Sequence, residues 1–164
     1  MMEKTLFGEG AVGYGFSGEI CYTVDISRNI HRWEGLFVEK KLKILITDDS
    51  KLLRKKLRLE LERLDCEVIE AANGKEAVML DLQEKPDGMF LDIVMPEVGG
   101  IEALQVIREV NPDMPVVMLS SAGTPQKLVE TLKLGALDFI QKPYTSEQIK
   151  KAVEAIRQKA ASDA

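Results

Sequence analysis

From Leu42 onward the chain alternates between two hydrophobic rhythms. Leu42-Lys43-Ile44-Leu45-Ile46-Thr47 is an apolar run of strand length that stops at Asp48-Asp49. Ser50 to Leu64 then carries Leu53, Leu57, Leu61 and Leu64 at the spacing of one helical face. Glu67–Ala71 reads as a second strand. Asn73-Gly74 caps a helix that runs to about Lys85, where Pro86 ends it. Met89-Phe90-Leu91 leads to Asp92 as a third strand, weakened by Gly88. The alternation continues twice more. Gly100–Val110 places Ile101, Leu104 and Ile107 at helical spacing before Asn111-Pro112, and Pro115–Leu119 is the fourth strand. Thr124–Leu134 is the fourth helix, with Gly135 as its stop. Leu137–Ile140 is the fifth strand, and Glu147–Lys159 is a last helix with Ile149, Val153 and Ile156 facing inward.

Five near-continuous apolar strands alternating with five helices predict an α/β fold. Right-handed βαβ crossovers would build a doubly wound parallel sheet covered on both faces. The predicted domain spans residues 41–160, with a short tail at 161–164. Residues 1–40 read differently. They hold Gly8, Gly10, Gly13, Gly15, Gly18 and Gly35, lack helical periodicity, and contain one strand-like run, Ile20–Val24. A flexible, Gly-rich N-terminal extension is expected, or a translation start misassigned upstream of one near Leu36 or Val38. Two matches to the dinucleotide fingerprint, Gly8–Gly13 and Gly13–Gly18, lack the strand-turn-helix context that gives such a motif its phosphate-binding geometry.

Composition narrows the function classes. Hydrophobic residues are 45% of the chain, enough for a buried core. Residues 42–164 hold 17 basic and 21 acidic side chains, so nothing in their balance suggests nucleic-acid binding. No basic amphipathic stretch suggests a membrane surface. No apolar run approaches the roughly 20 residues that cross a bilayer. Cys21 and Cys66 have no metal-ligand spacing, and two thiols without a framework suit a reducing cytoplasm. Cys66 is expected to be a small buried hydrophobe. The five methionines from Met79 to Met118 are expected to fill the core. His31 is the only histidine, so the main domain has no imidazole base.

In a parallel sheet of this kind a site forms at the carboxyl ends of the strands. Those ends carry Asp48-Asp49, Asp92, Ser120-Ser121 and Lys142-Pro143. Each has an ordinary explanation, as a helix N-cap or a solvated loop residue. As a set they point further. Three carboxylates in one space disfavour each other's ionisation, and a divalent cation relieves this; hard oxygen ligands suit Mg²⁺. A carboxylate beside such an ion is a nucleophile for a phosphoryl group. Lys142 would supply an amine and Ser120 a hydroxyl to phosphoryl oxygens.

The stretches Asp48-Asp49-Ser50, Leu91-Asp92-Ile93-Val94-Met95-Pro96 with Gly100, Met118-Leu119-Ser120-Ser121-Ala122 and Asp138-Phe139-Ile140-Gln141-Lys142-Pro143 together resemble the receiver domains of two-component response regulators, especially stand-alone chemotaxis members. The resemblance spans Leu42 to Ile156. It implies a flavodoxin-like (CheY-like) fold with strand order 2-1-3-4-5 and a phosphoacceptor at Asp92. It implies Mg²⁺ held by Asp49, Asp92 and the backbone carbonyl of Val94, with Asp48 acting through water. Lys142 is the implied phosphate-pairing amine, Ser120 the switch hydroxyl and Phe139 the switch aromatic, and Pro143 follows a cis peptide bond. Phosphorylation adds roughly −1.5 to −2 of charge. It would draw Ser120 inward, let Phe139 rotate, and alter the face made by the last two helices and the last strand. The donor would be a CheA-like sensor histidine kinase.

The sequence departs from the family at Val94 and Ala122, which are apolar where polar groups are common, and slow self-dephosphorylation follows. Gly99 replaces an Asp or Asn that would tighten the turn before Gly100, and Ser121 replaces a frequent alanine. With no length left for an output domain, the expected product is a single-domain, non-enzymatic regulator signalling by protein contact. A flagellar motor switch protein is the leading partner. A phosphorelay intermediate serving a histidine phosphotransfer protein is the alternative. A haloacid-dehalogenase-like phosphatase fits poorly, because its aspartate pair follows the first strand.

Overall fold

The computed structural model describes residues 41–162 in full and, within residues 1–40, the backbone of four strands. The chain divides into two compact units, Met1–Lys40 and Lys41–Ala164. In the first, β1 (Met2–Phe7), β2 (Ala11–Phe16), β3 (Ile20–Asp25) and β4 (Ile30–Arg32) form an antiparallel sheet in chain order. Ile20–Val24 therefore does not stand alone. The glycine spacing that looked like loop is also a period-two pattern, with Val12, Tyr14 and Phe16 alternating with Gly13 and Gly15. Tyr14 pairs with Tyr22, and Val12 with Val24. An antiparallel strand, not a helix, follows each fingerprint match, so the dinucleotide reading has no structural support there. Cys21, His31 and Trp33 carry no described side chain.

The second unit follows the predicted alternation: β5 (Lys43–Thr47), α1 (Lys51–Arg63), β6 (Glu67–Ala71), α2 (Gly74–Glu84), β7 (Gly88–Asp92), α3 (Gly100–Val110), β8 (Val116–Ser120), α4 (Pro125–Lys133), β9 (Asp138–Gln141) and α5 (Ser146–Ser162). All pairings are parallel and the order is β6-β5-β7-β8-β9, which is 2-1-3-4-5 within the domain. Helix starts use the residues the sequence offers. The Ser50, Asn73 and Thr124 side chains accept from Leu53, Glu76 and Lys127 N–H respectively. Thr145 and Gln148 cap α5 reciprocally. α5 runs to Ser162, two residues beyond the expected domain end.

Period-two alternation sends strand residues into two cores. Ile44, Ile46, Phe90, Val117 and Leu119 pack with Leu57 and Leu61 of α1 and Ile149, Val153 and Ile156 of α5. Leu45, Met89, Leu91, Val116 and Met118 pack with Ala77, Ala103, Leu104 and Ile107 of α2 and α3. Cys66 is buried and its thiol is pushed up by desolvation, as expected of an inert side chain. Three expectations need correcting. Leu53 turns out of the core and lines a surface cleft, because α1 rotates Leu57 and Leu61 inward. Met79 is exposed on α2, whereas Met89, Met95, Met114 and Met118 are buried. Gly88 does not weaken β7: α5 crosses so closely that a Cβ there would lie 2.4 Å from Ile156 Cγ2.

A second close approach governs the site. A Cβ on Gly100 would lie 2.0 Å from the Asp92 carbonyl oxygen and 2.8 Å from Ile93 Cα, both backbone atoms. Alanine normally favours a helix by about 1 kcal/mol over glycine. Here Gly100→Ala is expected to destabilise by about 1–3 kcal/mol through overpacking, read by urea unfolding. A gain in stability would show that the α3 start can shift freely.

At the opposite end of the sheet, Asp81 of α2 is buried, with Oδ1 accepting from Asn111 Nδ2 at 3.2 Å and Oδ2 unpartnered. Desolvation raises its pKa, while the Asn111 bond and the Arg108 charge act in the other direction. A carboxyl whose folded pKa is raised stabilises most below its unfolded pKa, and that contribution is lost as pH rises through the folded value. Asp81→Asn keeps the Asn111 bond and removes the charge. It is expected to be more stable than the parent at neutral pH, with the advantage vanishing as pH falls below the ordinary carboxylate range. Denaturation midpoints across pH check both the sign and the trend.

Candidate functional site

The register of the parallel sheet assembles the site. Thr47 aligns with Leu91 and Asp92 with Leu119, so the residues ending β5 and β7 emerge side by side. Ser120 aligns with Gln141, which sets Lys142 just beyond the rim. Asp48, Asp49 and Asp92 each bring a carboxylate oxygen within 4.8 Å of the others. Asp48 and Asp92 are buried and Asp49 is exposed, so the cluster opens to solvent on one side.

Lys142 reaches into this cluster. Its ammonium donates to Asp48 Oδ2 at 2.7 Å and lies 3.3 Å from Asp92 Oδ2. Asp48 Oδ1 accepts from Ser50 N–H at 2.8 Å. Asp92 Oδ1 is buried with no hydrogen-bond partner. Burial raises the Asp92 pKa and Asp48 pushes it further up, while Lys142 and the Val94 backbone N–H act against both. The donor set fits a hard divalent cation: three carboxylates on one rim and a buried oxygen without a partner. Lys142-Pro143 is cis.

Val94 meets the cluster through its backbone N–H, while Ser120 and Phe139 lie beside it without a hydrogen bond to a carboxylate. Ser120 is fully buried, and its hydroxyl accepts from Ala122 N–H at 3.2 Å rather than meeting Asp92. Phe139 is half-buried, and its ring lies along the β8–α4 loop, where a Cβ on Gly123 would sit 3.2 Å from Cε1. Val94 is exposed. Gly99 supplies no side-chain cap to α3, but Glu102 accepts from its N–H at 2.6 Å, closing half of a capping box.

Two contributors escaped the sequence reading. Arg54 donates to the Asp48 carbonyl at 2.6 Å and to Glu70 Oε2 at 3.1 Å, while Arg58 pairs with Glu70 Oε1 at 2.7 Å. The i, i+4 spacing of Arg54 and Arg58, with Glu70 inside the otherwise apolar Val68–Ala71 stretch of β6, was the available signal. Tyr144 stands beside the site, its phenol pushed up to about 12 by burial and by Asp48 and Glu60. With Leu53, Lys56, Ser121, Lys142 and Pro143 it lines a cleft of about 290 Å³ next to the carboxylates.

Comparison with known proteins follows the same residues. Residues 44–154 match the response regulator receiver domain. The chain is 41% identical over 114 residues to the chemotaxis protein CheY of Listeria monocytogenes, covering 69% of this chain and 96% of that one. The structure of Vibrio cholerae CheY4 aligns with a TM-score of 0.68 at 28% identity, over 71% of this chain and 99% of its own. A chain of the CheX–CheY–BeF3–Mg²⁺ complex from Borrelia burgdorferi aligns with a TM-score of 0.68 at 32% identity, over 71% and 89%.

The Lys142 contacts make a stability test. Removing one partner of a buried ion pair costs about 3–5 kcal/mol. Lys142→Met in chelator-containing buffer is expected to lose stability towards that size in urea unfolding, and adding Asp48→Asn to recover part of it. A single variant as stable as the parent would mean that the carboxylates tolerate one another without the ammonium.

Proposed function

The chain belongs to the response regulator receiver domain family, and from that premise we propose that it accepts a phosphoryl group on Asp92 from a sensor histidine kinase and signals by protein contact. The observation that carries this reading is the pairing of a buried, partly unpartnered Asp92 carboxylate with the Lys142 ammonium at the solvent-open end of β7.

An Asp92 oxygen attacks phosphorus, the P–N bond to the donor histidine breaks, and the released imidazole takes up a proton from solvent. Asp49, Asp92 and the Val94 carbonyl would hold Mg²⁺, with Asp48 acting through water; when bound, the ion neutralises charge on the phosphoryl oxygens. Lys142, already oriented between Asp48 and Asp92, is free to turn its ammonium to the new phosphoryl group. The cleft lined by Leu53, Lys56 and Tyr144 gives the donor an apolar, cationic approach.

The acyl phosphate then acts as a switch rather than an intermediate in turnover. Ser120 leaves its Ala122 N–H for a phosphoryl oxygen. The β8–α4 loop follows, and the Phe139 ring packed on Gly123 repositions with it. The surface of α4, β9 and α5 changes for its reader. The likeness to CheY proteins supports chemotaxis, with a flagellar motor switch protein as reader, in the cytoplasm. Among the described residues no helix is long and apolar enough to cross a membrane. Val94 and Ala122 offer no polar group to orient a hydrolytic water, so the acyl phosphate is long-lived.

The test combines labelling with capture. Label from a small-molecule phosphodonor is expected on the wild type, to be lost in Asp92→Ala, and to decay over minutes or longer. Beryllofluoride-treated protein is expected to retain motor-switch protein that untreated protein does not. Labelling that survives Asp92→Ala would refute the acceptor, decay within seconds would refute the hydrolysis argument, and recovery of a histidine phosphotransfer protein instead would mark a phosphorelay.

A further inference from the structure

α4 is fastened unevenly. Its only fully buried side chain is Thr131, whose hydroxyl donates to the Lys127 and Leu128 carbonyls at 3.0 Å; Leu128, Val129 and Leu132 are exposed. A groove of about 540 Å³, lined by Gln105 of α3 and by residues of α4 from Pro125 to its C-cap Leu134, runs along the whole helix, so what fastens its two ends lies outside the groove. Its N-terminal end holds only a local cap, Thr124 Oγ1 accepting from Lys127 N–H at 3.3 Å.

The C-terminal end is different. Gly135, at φ 86°, closes a Schellman turn in which Ala136 and Gly135 N–H donate to Thr131 and Leu132 carbonyls at 3.0 Å. Leu137 N–H then donates to Val116 of β8 at 2.7 Å. From α3, Arg108 donates through Nε to the Leu134 carbonyl at 3.2 Å and through Nη2 to Gly135 at 2.8 Å. Its Nη1 reaches Pro112 at 2.9 Å and Met114 at 2.7 Å. One guanidinium thus ties the end of α4 to the loop that leads into β8.

We infer that Arg108 is the fixed pivot of α4, a positioning residue that confines the helix's response to its N-terminal end. The inference rests on the reading of Asp92 as a phosphoacceptor, whose signal enters α4 through the Ser120–Gly123 loop. The planar fork serves four carbonyls in fixed directions; a lysine ammonium carries the same charge but cannot reproduce that geometry.

Segment-resolved hydrogen exchange of the full chain with Mg²⁺, with and without beryllofluoride, tests this. In the wild type, beryllofluoride is expected to change exchange at residues 121–129 and leave 132–136 unchanged. In Arg108→Lys, exchange at 132–136 is expected to rise by about tenfold or more, since several bonds worth about 1 kcal/mol each are lost. That segment is also expected to become beryllofluoride-sensitive, with labelling of Asp92 unaltered. Equal responses of 121–129 and 132–136 in the wild type would overturn the pivot and leave the phosphoacceptor standing. So would an unchanged 132–136 in Arg108→Lys, or a rise shared equally by β5 and α5, which is a plain loss of stability. If beryllofluoride alters no segment, the switch reading itself fails and the pivot falls with it.

Discussion

Three carboxylates brought within 4.8 Å at the ends of two adjacent strands repel one another by on the order of 3 kcal/mol for each fully charged pair. A flexible chain would separate them. The parallel register does not allow it, because Asp48 and Asp92 continue strands that are hydrogen-bonded along their length. The rest of the domain can be read as what that crowding requires. Two apolar cores hold the strands rigid, Arg54 fixes the Asp48 carbonyl, Gly100 lets α3 start against the Asp92 backbone, and Lys142 crosses from beyond β9 to set a cation among the acids.

The same crowding explains why the site is open on one side only. Asp49 stays in water, where its charge is screened, while Asp48 and Asp92 are buried and depend on specific partners. Desolvation raises the Asp92 pKa and the ammonium opposes it. A carboxylate held between those influences is costly to keep ionised and has an oxygen with no partner, the condition in which an incoming cation or phosphorus gains most.

Much of the second unit was legible because its signals are local. Strand runs, helical spacing, Asn73, Thr124 and Gly135 each announce one boundary, and the strand ends name the site residues directly. What escaped depends on contacts between elements. Leu53 keeps helical spacing with Leu57 and Leu61, yet the rotation of α1 that exposes it is set by packing on the sheet. Gly88 reads as a weak strand position until α5 is laid across it. Arg54 and Arg108 are ordinary helix arginines in sequence, and only tertiary structure shows the backbone carbonyls they serve. The N-terminal sheet was missed for another reason: glycine at alternate positions mimics loop composition while leaving a period-two pattern intact.

Thr131 carries one last implication. A helix that inserts threonine where its neighbours insert leucine or isoleucine takes no apolar side chain out of either core when it tilts. Moving it would transfer little apolar surface between protein and water, so any two positions of the helix would have nearly equal heat capacities. The enthalpy difference between them would then stay nearly constant with temperature, so a van 't Hoff plot of their population ratio would be close to a straight line.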